Sequence, residues 1–457
     1  MPAHRPWKTV RVQDIAANTQ YALMGGSFDS DLASKNDVQV GIPVIRGHNM
    51  GARWIGGEFS FVTSQNVDAL EANLARPGDV IFTQRGSLGR VAVVPPRAFD
   101  RYLISQDQVK LTVDPEKADS LFVYYVFQSP SQREHIRLHS VRTATAHANV
   151  GIFRDTPLLL PDAAEQRSIT AILGGLDDKI ELNWQIGDTL EKTARAIFRS
   201  WFVDFDPVRA KISGEPDEST CARFGLRREL LDLFPDSLRT TDAGDLPGGW
   251  NLSTLGEEVK RCGGFIQTGP FGSQLHASDY SSDGIPVVMP QDLTSRRVST
   301  DRIARVPEAT AARLARHRLL PGDIVYSRRG DVERHAIISK DEAGWICGTG
   351  CLLIRPGERW PSSVFLSFVL NQTATREWIV RHAVGATMPN LNTSILSGVP
   401  LLLPPTNLLR AFEEGTAPFF ASKDALRAET ESLAQIRDAL IPELTSGRVR
   451  IANEGLP

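Results

Sequence analysis

The sequence is poor in cysteine, has no long apolar run and carries none of the common catalytic signatures, and each absence excludes something. Four cysteines in 457 residues (Cys221, Cys262, Cys347, Cys351) read as reduced thiols, and the lone C-x3-C of Cys347 and Cys351 has no second pair to complete a zinc site. No stretch approaches the roughly 18 uncharged residues needed to span a bilayer. The start, MPAHRPWKTVRVQD, lacks a signal-peptide pattern, so no membrane association and a cytoplasmic location are expected. The histidines are scattered without metal-ligand spacing, and no metal site is expected. There is no phosphate-binding G-x-x-x-x-G-K-[ST] loop, no H-E-x-x-H and no G-x-S-x-G elbow. The Asn/Asp-Pro-Pro-aromatic tetrapeptide of amino-methylating enzymes is missing too, since Leu403-Pro404-Pro405-Thr406 does not match it. A net charge of −3 gives no general sign of a nucleic-acid binder, although local distribution matters more than the sum. Otherwise the composition, 41% apolar and 23% charged, is that of an ordinary globular protein too long for one core.

What is present is a long internal repeat. Trp7 matches Trp250, 243 residues on, and "GIPVIRGHNM" from Gly41 matches "GIPVVMPQDL" from Gly284 at the same offset. "PGDVIFTQRGSLG" from Pro77 matches "PGDIVYSRRGDVE" from Pro321, an offset longer by one residue. "LFVYYVFQSPSQREHI" from Leu121 and "VFLSFVLNQTATREWI" from Val364 return to 243. So do "TATAHANVGIFRDTPLLLP", ending at Pro161, and "GATMPNLNTSILSGVPLLLP", ending at Pro404. A register held over so long a span marks a duplicated domain, and a period far above a few tens of residues implies that each copy owns a core. Val80–Thr83 and Val91–Val94 read as strands between Gly and Pro punctuation, and Leu121–Arg137 reads as one amphipathic helix. The expected fold is therefore α+β, with copies at 1–161 and 247–404, a central helical spacer and linker at 162–246 and a C-terminal helical spacer at 405–457.

After each "PLLLP" the character changes. Ile169, Leu173, Leu176, Ile180, Asn183, Gly187, Leu190, Ala194, Ile197 and Trp201 recur at alternating steps of four and three, the seam of a coiled coil. Asn183 and Gly187 are its imperfections, and a buried Asn fits register selection. The later segment, from Leu408, offers Leu426, Leu433, Ile436 and Leu440, with Pro442 expected to end the helix. These are either two unrelated surface helices or partners in one antiparallel coiled coil. Partnership gives the chain a pseudo-two-fold axis and a spacer of about 60 Å for 40 residues.

The variable tips of the repeated strand and loop are the chief candidate site. The first copy has Thr83-Gln84-Arg85-Gly86-Ser87-Leu88-Gly89-Arg90 and the second Ser327-Arg328-Arg329-Gly330-Asp331-Val332-Glu333-Arg334. Arg and Gln read guanine and adenine edges bidentately, and glycine lets a backbone approach phosphates. Gln84, Arg85, Ser87, Arg90, Ser327, Arg328, Arg329 and Arg334 are the candidate DNA contacts. The run Arg296, Arg297, Arg302, Arg305, Arg313, Arg316 and Arg318 reads as a solvated helix face or as an extension of that surface. "TGPFGSQL", Thr268 to Leu275, reads as an anion cradle or as a tight turn. A permissive nuclease outline also exists: Asp236 after Pro235, then Glu258-Val259-Lys260, two carboxylates for a cation and a lysine near water. One frame with two different tips suits a protein that reads two short DNA sequences at a fixed separation.

Glu165 to Val208, "TGPFGSQL", the paired "PGD" segments, "GATMPNLN" and the closing "IRDALIPELTSGRVRI" resemble the specificity subunit of type I restriction–modification systems, over nearly the whole chain. The resemblance implies two target recognition domains, each reading half of a split, asymmetric site in double-stranded DNA, with an antiparallel coiled coil as the ruler. It implies no catalysis and no cofactor in this chain. S-adenosylmethionine, ATP and Mg would serve the partners, namely methyltransferase subunits that methylate adenine and restriction subunits that cleave DNA. The acidic net charge then predicts weak DNA binding by this chain alone.

Overall fold

The computed structural model describes residues 6–26, 40–63, 68–86, 88–140, 147–241, 244–271, 274–294, 296–385 and 389–451. The chain divides into two compact units, one of Met1–Ile186 with Ala425–Pro457 and one of Gly187–Asp424. The division cuts both long helices, Ala163–Phe202 and Thr406–Thr445, near their middles, so each unit owns half of each.

In the first unit an antiparallel sheet runs in the order Leu23–Gly25, Gln108–Leu111, Val80–Thr83, Val91–Val93. In the second the order is Phe265–Thr268, Cys351–Arg355, Ile324–Ser327, His335–Ile337, the same topology. The match extends to register: Phe82 faces Val91 in one unit as Tyr326 faces His335 in the other. Each unit also closes on itself through its last strand. Pro157–Leu160 pairs with Lys8–Arg11, and Pro400–Leu403 pairs with Asn251–Thr254, which accounts for the repeated "PLLLP". The Pro-Gly-Asp turns are frame elements as well. Gly78 and Gly322 take φ of +89° and +86°, the region that favours glycine. Asp79 Oδ2 accepts from the Arg76 N–H and Asp323 Oδ2 from the Leu320 N–H, both at 2.8 Å.

The helix expected over 121–137 is two helices, Ser120–Gln128 and Pro130–His139. Ser129 between them is extended (ψ 143°), because the residue before a proline is disfavoured in the helical region. Ser129 then caps the second helix by accepting from the Gln132 N–H. The second unit repeats the break between Ser363–Leu370 and Thr373–His382.

The long helices run antiparallel within each unit. In the first, Asn183 meets Thr430 while Asp177 meets Arg437; in the second, Glu191 meets Lys423 while Phe198 lies edge-on to Phe412. Ile169 and Leu173 are fully buried, and Leu176, Ile180, Leu190, Ile197, Leu426, Leu433 and Leu440 are half-buried. Ile436 departs from the expected seam: it is 50% exposed, because the turn presents Arg437 inward to Asp177 instead. Pro442 does not end the second helix. A proline so near a C-terminus removes one N–H bond only, and the last turn is held by buried Ile441 and Leu444 and by Thr445 Oγ1 donating to the Ile441 carbonyl.

Residues 205–246 are not a loose linker. Phe205, Val208, Leu226, Leu231, Phe234 and Leu246 join Trp201, Phe202, Trp250, Phe365 and Phe412 in the core of the second unit. The first unit's core is built around Phe82, Phe122, Phe127 and Phe153, with Ile169, Leu173, Ile441 and Leu444 contributed by the long helices.

Candidate nucleic-acid interface

The two tips are held by the same backbone bonds. Gln84 N–H donates to the Asp107 carbonyl (2.7 Å) and its carbonyl accepts from Ala148 N–H (2.9 Å). Arg328 N–H donates to the Gly350 carbonyl and its carbonyl accepts from Leu391 N–H, both at 2.8 Å. Arg85 then bridges to His147 as Arg329 bridges to Asn390. His147-Ala148 and Asn390-Leu391 are thus the walls against which the tips lie, a role that the sequence repeat alone does not reveal.

On this frame the side chains sort themselves. Gln84 is buried and its amide donates to the Gln106 carbonyl, so it holds the frame rather than facing solvent. Ser327 is buried likewise, its hydroxyl turned to the Arg329 carbonyl (3.2 Å). Ser327 ends, and Gln84 directly follows, a strand whose side chains are covered on both faces, which a count of polar residues does not reveal. Arg85 is half-buried beside Gln106 (3.4 Å), and Arg90 is exposed with one Nη on the Gly47 carbonyl (3.3 Å). Arg329 is exposed, and Arg334 is exposed but paired with Asp331. Arg328 is half-buried, with Nε on the Leu391 carbonyl (3.1 Å) and Cζ 4.9 Å from the centre of the Phe271 ring. Ser87 lies outside the described residues.

The arginine run from 296 to 318 is not one surface. Arg296 is buried, its Nε donating to Ser367 Oγ (2.7 Å) and one Nη 3.4 Å from Glu191. Its guanidinium lies 3.8 Å from the Phe368 ring centre and 5.3 Å from that of Phe420. Burial pushes its pKa down to about 10, against the pull of Glu191. Arg297 pairs with Asp424, Arg318 with Glu308, and Arg313 with Asp279. Arg305 and Arg316 bond to Gly284 and Gln267. Arg53 stands at the equivalent place in the first unit, 243 residues earlier: buried, on the Gly174 carbonyl (3.2 Å) and paired with Asp178. Each unit therefore fastens its sheets to the first long helix through one buried arginine, and the signal for it was the repeat offset.

The nuclease outline does not assemble. Glu258 is buried, bonded to Arg261 (2.6 Å) and accepting from Ser253 Oγ (2.8 Å), so its charge is already matched. Asp236 and Lys260 are exposed, and no group of three His, Cys, Asp or Glu side chains among the described residues is placed to hold a metal ion. Cys347 and Cys351 are fully buried thiols whose pKa burial drives upward. No helix among the described residues is long and apolar enough to cross a membrane.

Against known proteins, residues 4–192 match the family model described as the type I restriction modification DNA specificity domain. The chain is 26% identical to the HindI specificity subunit of Haemophilus influenzae over 410 residues, covering 82% of this chain and 87% of that one. Residues 4–192 thus match a type I specificity domain, and the chain is similar over most of its length to a type I specificity subunit. The MjaIX specificity subunit of Methanocaldococcus jannaschii is 21% identical over 390 residues, 85% of this chain and 82% of that relative. The crystal structure of the S subunit of a type I restriction–modification system from M. genitalium has a similar fold, with a TM-score of 0.55, 16% identity and 97% of both chains covered.

Proposed function

We propose that this chain is a specificity subunit, the non-catalytic DNA sequence-recognition component of a type I restriction–modification complex. In this reading residues 1–161 and 247–404 supply two target recognition domains, and the segments 162–246 and 405–457 supply the spacer helices. Its partners are double-stranded DNA, methyltransferase subunits and restriction subunits. S-adenosylmethionine, ATP and Mg act in those partners, where adenine methylation and DNA cleavage take place, and the cytoplasm is where such a complex meets DNA.

One observation carries the reading: two tips on a common backbone frame, bonded alike at Gln84 and Arg328, differ in the side chains they present. A shared frame with divergent tips is what two half-sites of different sequence require, because frame bonds position the chain and side chains select bases. Arg85, Arg90 and Arg329 are the candidate contacts from the tips, to bases or to phosphates. The nuclease reading has no support in the geometry, since Glu258 is committed to Arg261.

The test is methylation mapping. The subunit is co-expressed with its methyltransferase partner in a methylation-free host, and modified bases are read directly. A split, asymmetric, adenine-methylated motif that vanishes when the subunit is omitted is the expected result, and methylation that persists without it overturns the reading. In the same assay Glu258→Ala should leave the motif unchanged and, in the complete complex, cleavage too.

A further inference from the structure

Arg328 is a tip position at which the two copies share their frame bonds and yet send the side chain in different directions. Its counterpart Gln84 folds back onto the Gln106 carbonyl. Arg328 instead lies against Phe271, whose ring is 46% exposed, and donates from Nε to the Leu391 carbonyl. A ring on one face and a carbonyl on one edge fix both the plane and the rotation of the guanidinium. Among the described residues no acceptor lies within hydrogen-bond distance of either Nη. Burial, and then the neighbouring charge of Arg329, lower its pKa from the usual arginine value, as expected for a cation with no carboxylate beside it.

We infer that Arg328 reads a guanine in the half-site of the second recognition domain, with Phe271 as the residue that positions it. The inference rests on the DNA-recognition reading above and deepens it. Two parallel N–H donors in a set plane match the O6 and N7 acceptors that guanine presents in the major groove. A phosphate contact needs no set plane, because its oxygens accept from many directions, and exposed Arg329 next door is free of such fixing. Stacking on an aromatic ring also suits guanidinium better than ammonium, being planar and weakly hydrated. The described ends of "TGPFGSQL" thereby acquire a role other than a phosphate cradle: they carry Phe271, whose N–H donates to Gln274 Oε1 (3.2 Å).

The experiment is methylation mapping with the subunit and its methyltransferase partner, comparing wild type with Arg328→Ala, Arg328→Gln, Phe271→Leu and Phe271→Tyr. Arg328→Ala should lower the preference for guanine at one position of one half-site by about tenfold to a hundredfold, leaving the other half-site intact. Arg328→Gln should move that position toward adenine, the base a glutamine side chain reads. Phe271→Leu should weaken discrimination at that position alone, and Phe271→Tyr should retain it. The unchanged half-site in the same DNA reports that the variants fold. If Arg328→Ala leaves both half-sites as they were, or weakens methylation at every sequence equally, Arg328 reads no base and the inference falls while DNA recognition stands. If the wild type yields no bipartite motif, the functional reading itself falls.

Discussion

Arg53 and Arg296 occupy equivalent places in the two units, and the two units shelter them in different ways. Arg53 has the Gly174 carbonyl and Asp178, a carboxylate 72% exposed, with the Trp54 ring 4.9 Å away. Arg296 has Ser367, Glu191 at 12% exposure, and two phenylalanine rings. Burying a charge demands compensation, but a duplicated frame does not dictate which. Asp177, beside Arg53's partner, is the repeat counterpart of Phe420, and Tyr125, which donates to Asp177 (2.7 Å), is that of Phe368. The first unit answers with carboxylates and a hydroxyl, the second with aromatic faces and a shielded carboxylate. The difference teaches that position is inherited across the duplication while its chemistry is free to diverge, provided the charge stays matched.

That contrast breaks most directly at the arginines themselves. Arg296→Ala removes a cation from between two rings and leaves Glu191 with Lys423 and the more exposed Arg195, so it should cost about 3–5 kcal/mol, in the range for breaking a buried pair. Arg53→Ala leaves behind a largely hydrated Asp178 and should cost about half as much. Hydrogen exchange at the central strands, Cys351–Arg355 and Gln108–Leu111, reads the two units separately in the intact chain. Equal losses of protection would show that exposure of the partner carboxylate does not set the cost.

A second contrast is sharpened by pH. The pair Tyr326 and His335 replaces Phe82 and Val91 in the same register. His335 is buried against Tyr326 and bonded to the Ser367 hydroxyl (2.9 Å) and carbonyl (3.1 Å). Burial, with help from the Arg296 charge, pushes its pKa down to about 3. An unfolded histidine protonates near pH 6.5, so the unfolded state binds the extra proton and folding stability falls as pH drops below that value. The loss should approach about 1.4 kcal/mol per pH unit between roughly 6.5 and the folded pKa, or about 2 kcal/mol by pH 5. Exchange protection in the second unit should show this slope, and His335→Val, the first unit's solution, should remove it. A slope that survives the substitution assigns it to other groups.

How much of this was legible beforehand depends on what kind of signal each residue carries. The strand Val80–Thr83, the turn glycines and the matching element order were readable, because alternation, punctuation and self-similarity are local. Ser129-Pro130 was also in plain view, and the break it makes follows from one steric rule. The arginine run was misleading for a reason that sequence cannot cure. Arg296 and Arg297 are neighbours in the chain, but the backbone of Arg296 takes a positive φ of 65° and its guanidinium packs between rings contributed by Phe368 and Phe420. Gln84 fails in the same way: polarity suggested a surface, and only the fold shows that Gln106 takes up its amide. Charge counts predict exposure until a partner distant in sequence arrives.

The smallest expected effect in energy concerns the helix pair of the first unit. Asn183 is 2% exposed, its amide donating to Glu429 Oε2 (2.9 Å) and Thr430 Oγ1 (3.3 Å), while its Oδ1 has no partner among the described residues. The repeat does not carry this residue over: Leu426 of the second helix, also in the first unit, lies at the repeat offset. A buried asparagine in a coiled-coil seam costs stability and fixes register, since other alignments leave it without acceptors. Asn183→Leu removes an unsatisfied oxygen and adds apolar contact, so stability should change by no more than about 1 kcal/mol, in the stabilising direction. Register should suffer instead. Spin labels at exposed Glu181 and Ser432, with half-buried Cys221 changed to Ser, should give one narrow distance distribution with Asn183 and a broadened or split one with Leu. Asp177 and Arg437, still paired one and a half turns away, limit the slippage, so adding Asp177→Ala should widen the distribution further. A narrow distribution in both variants would place register control in the apolar seam and leave Asn183 as a tolerated imperfection.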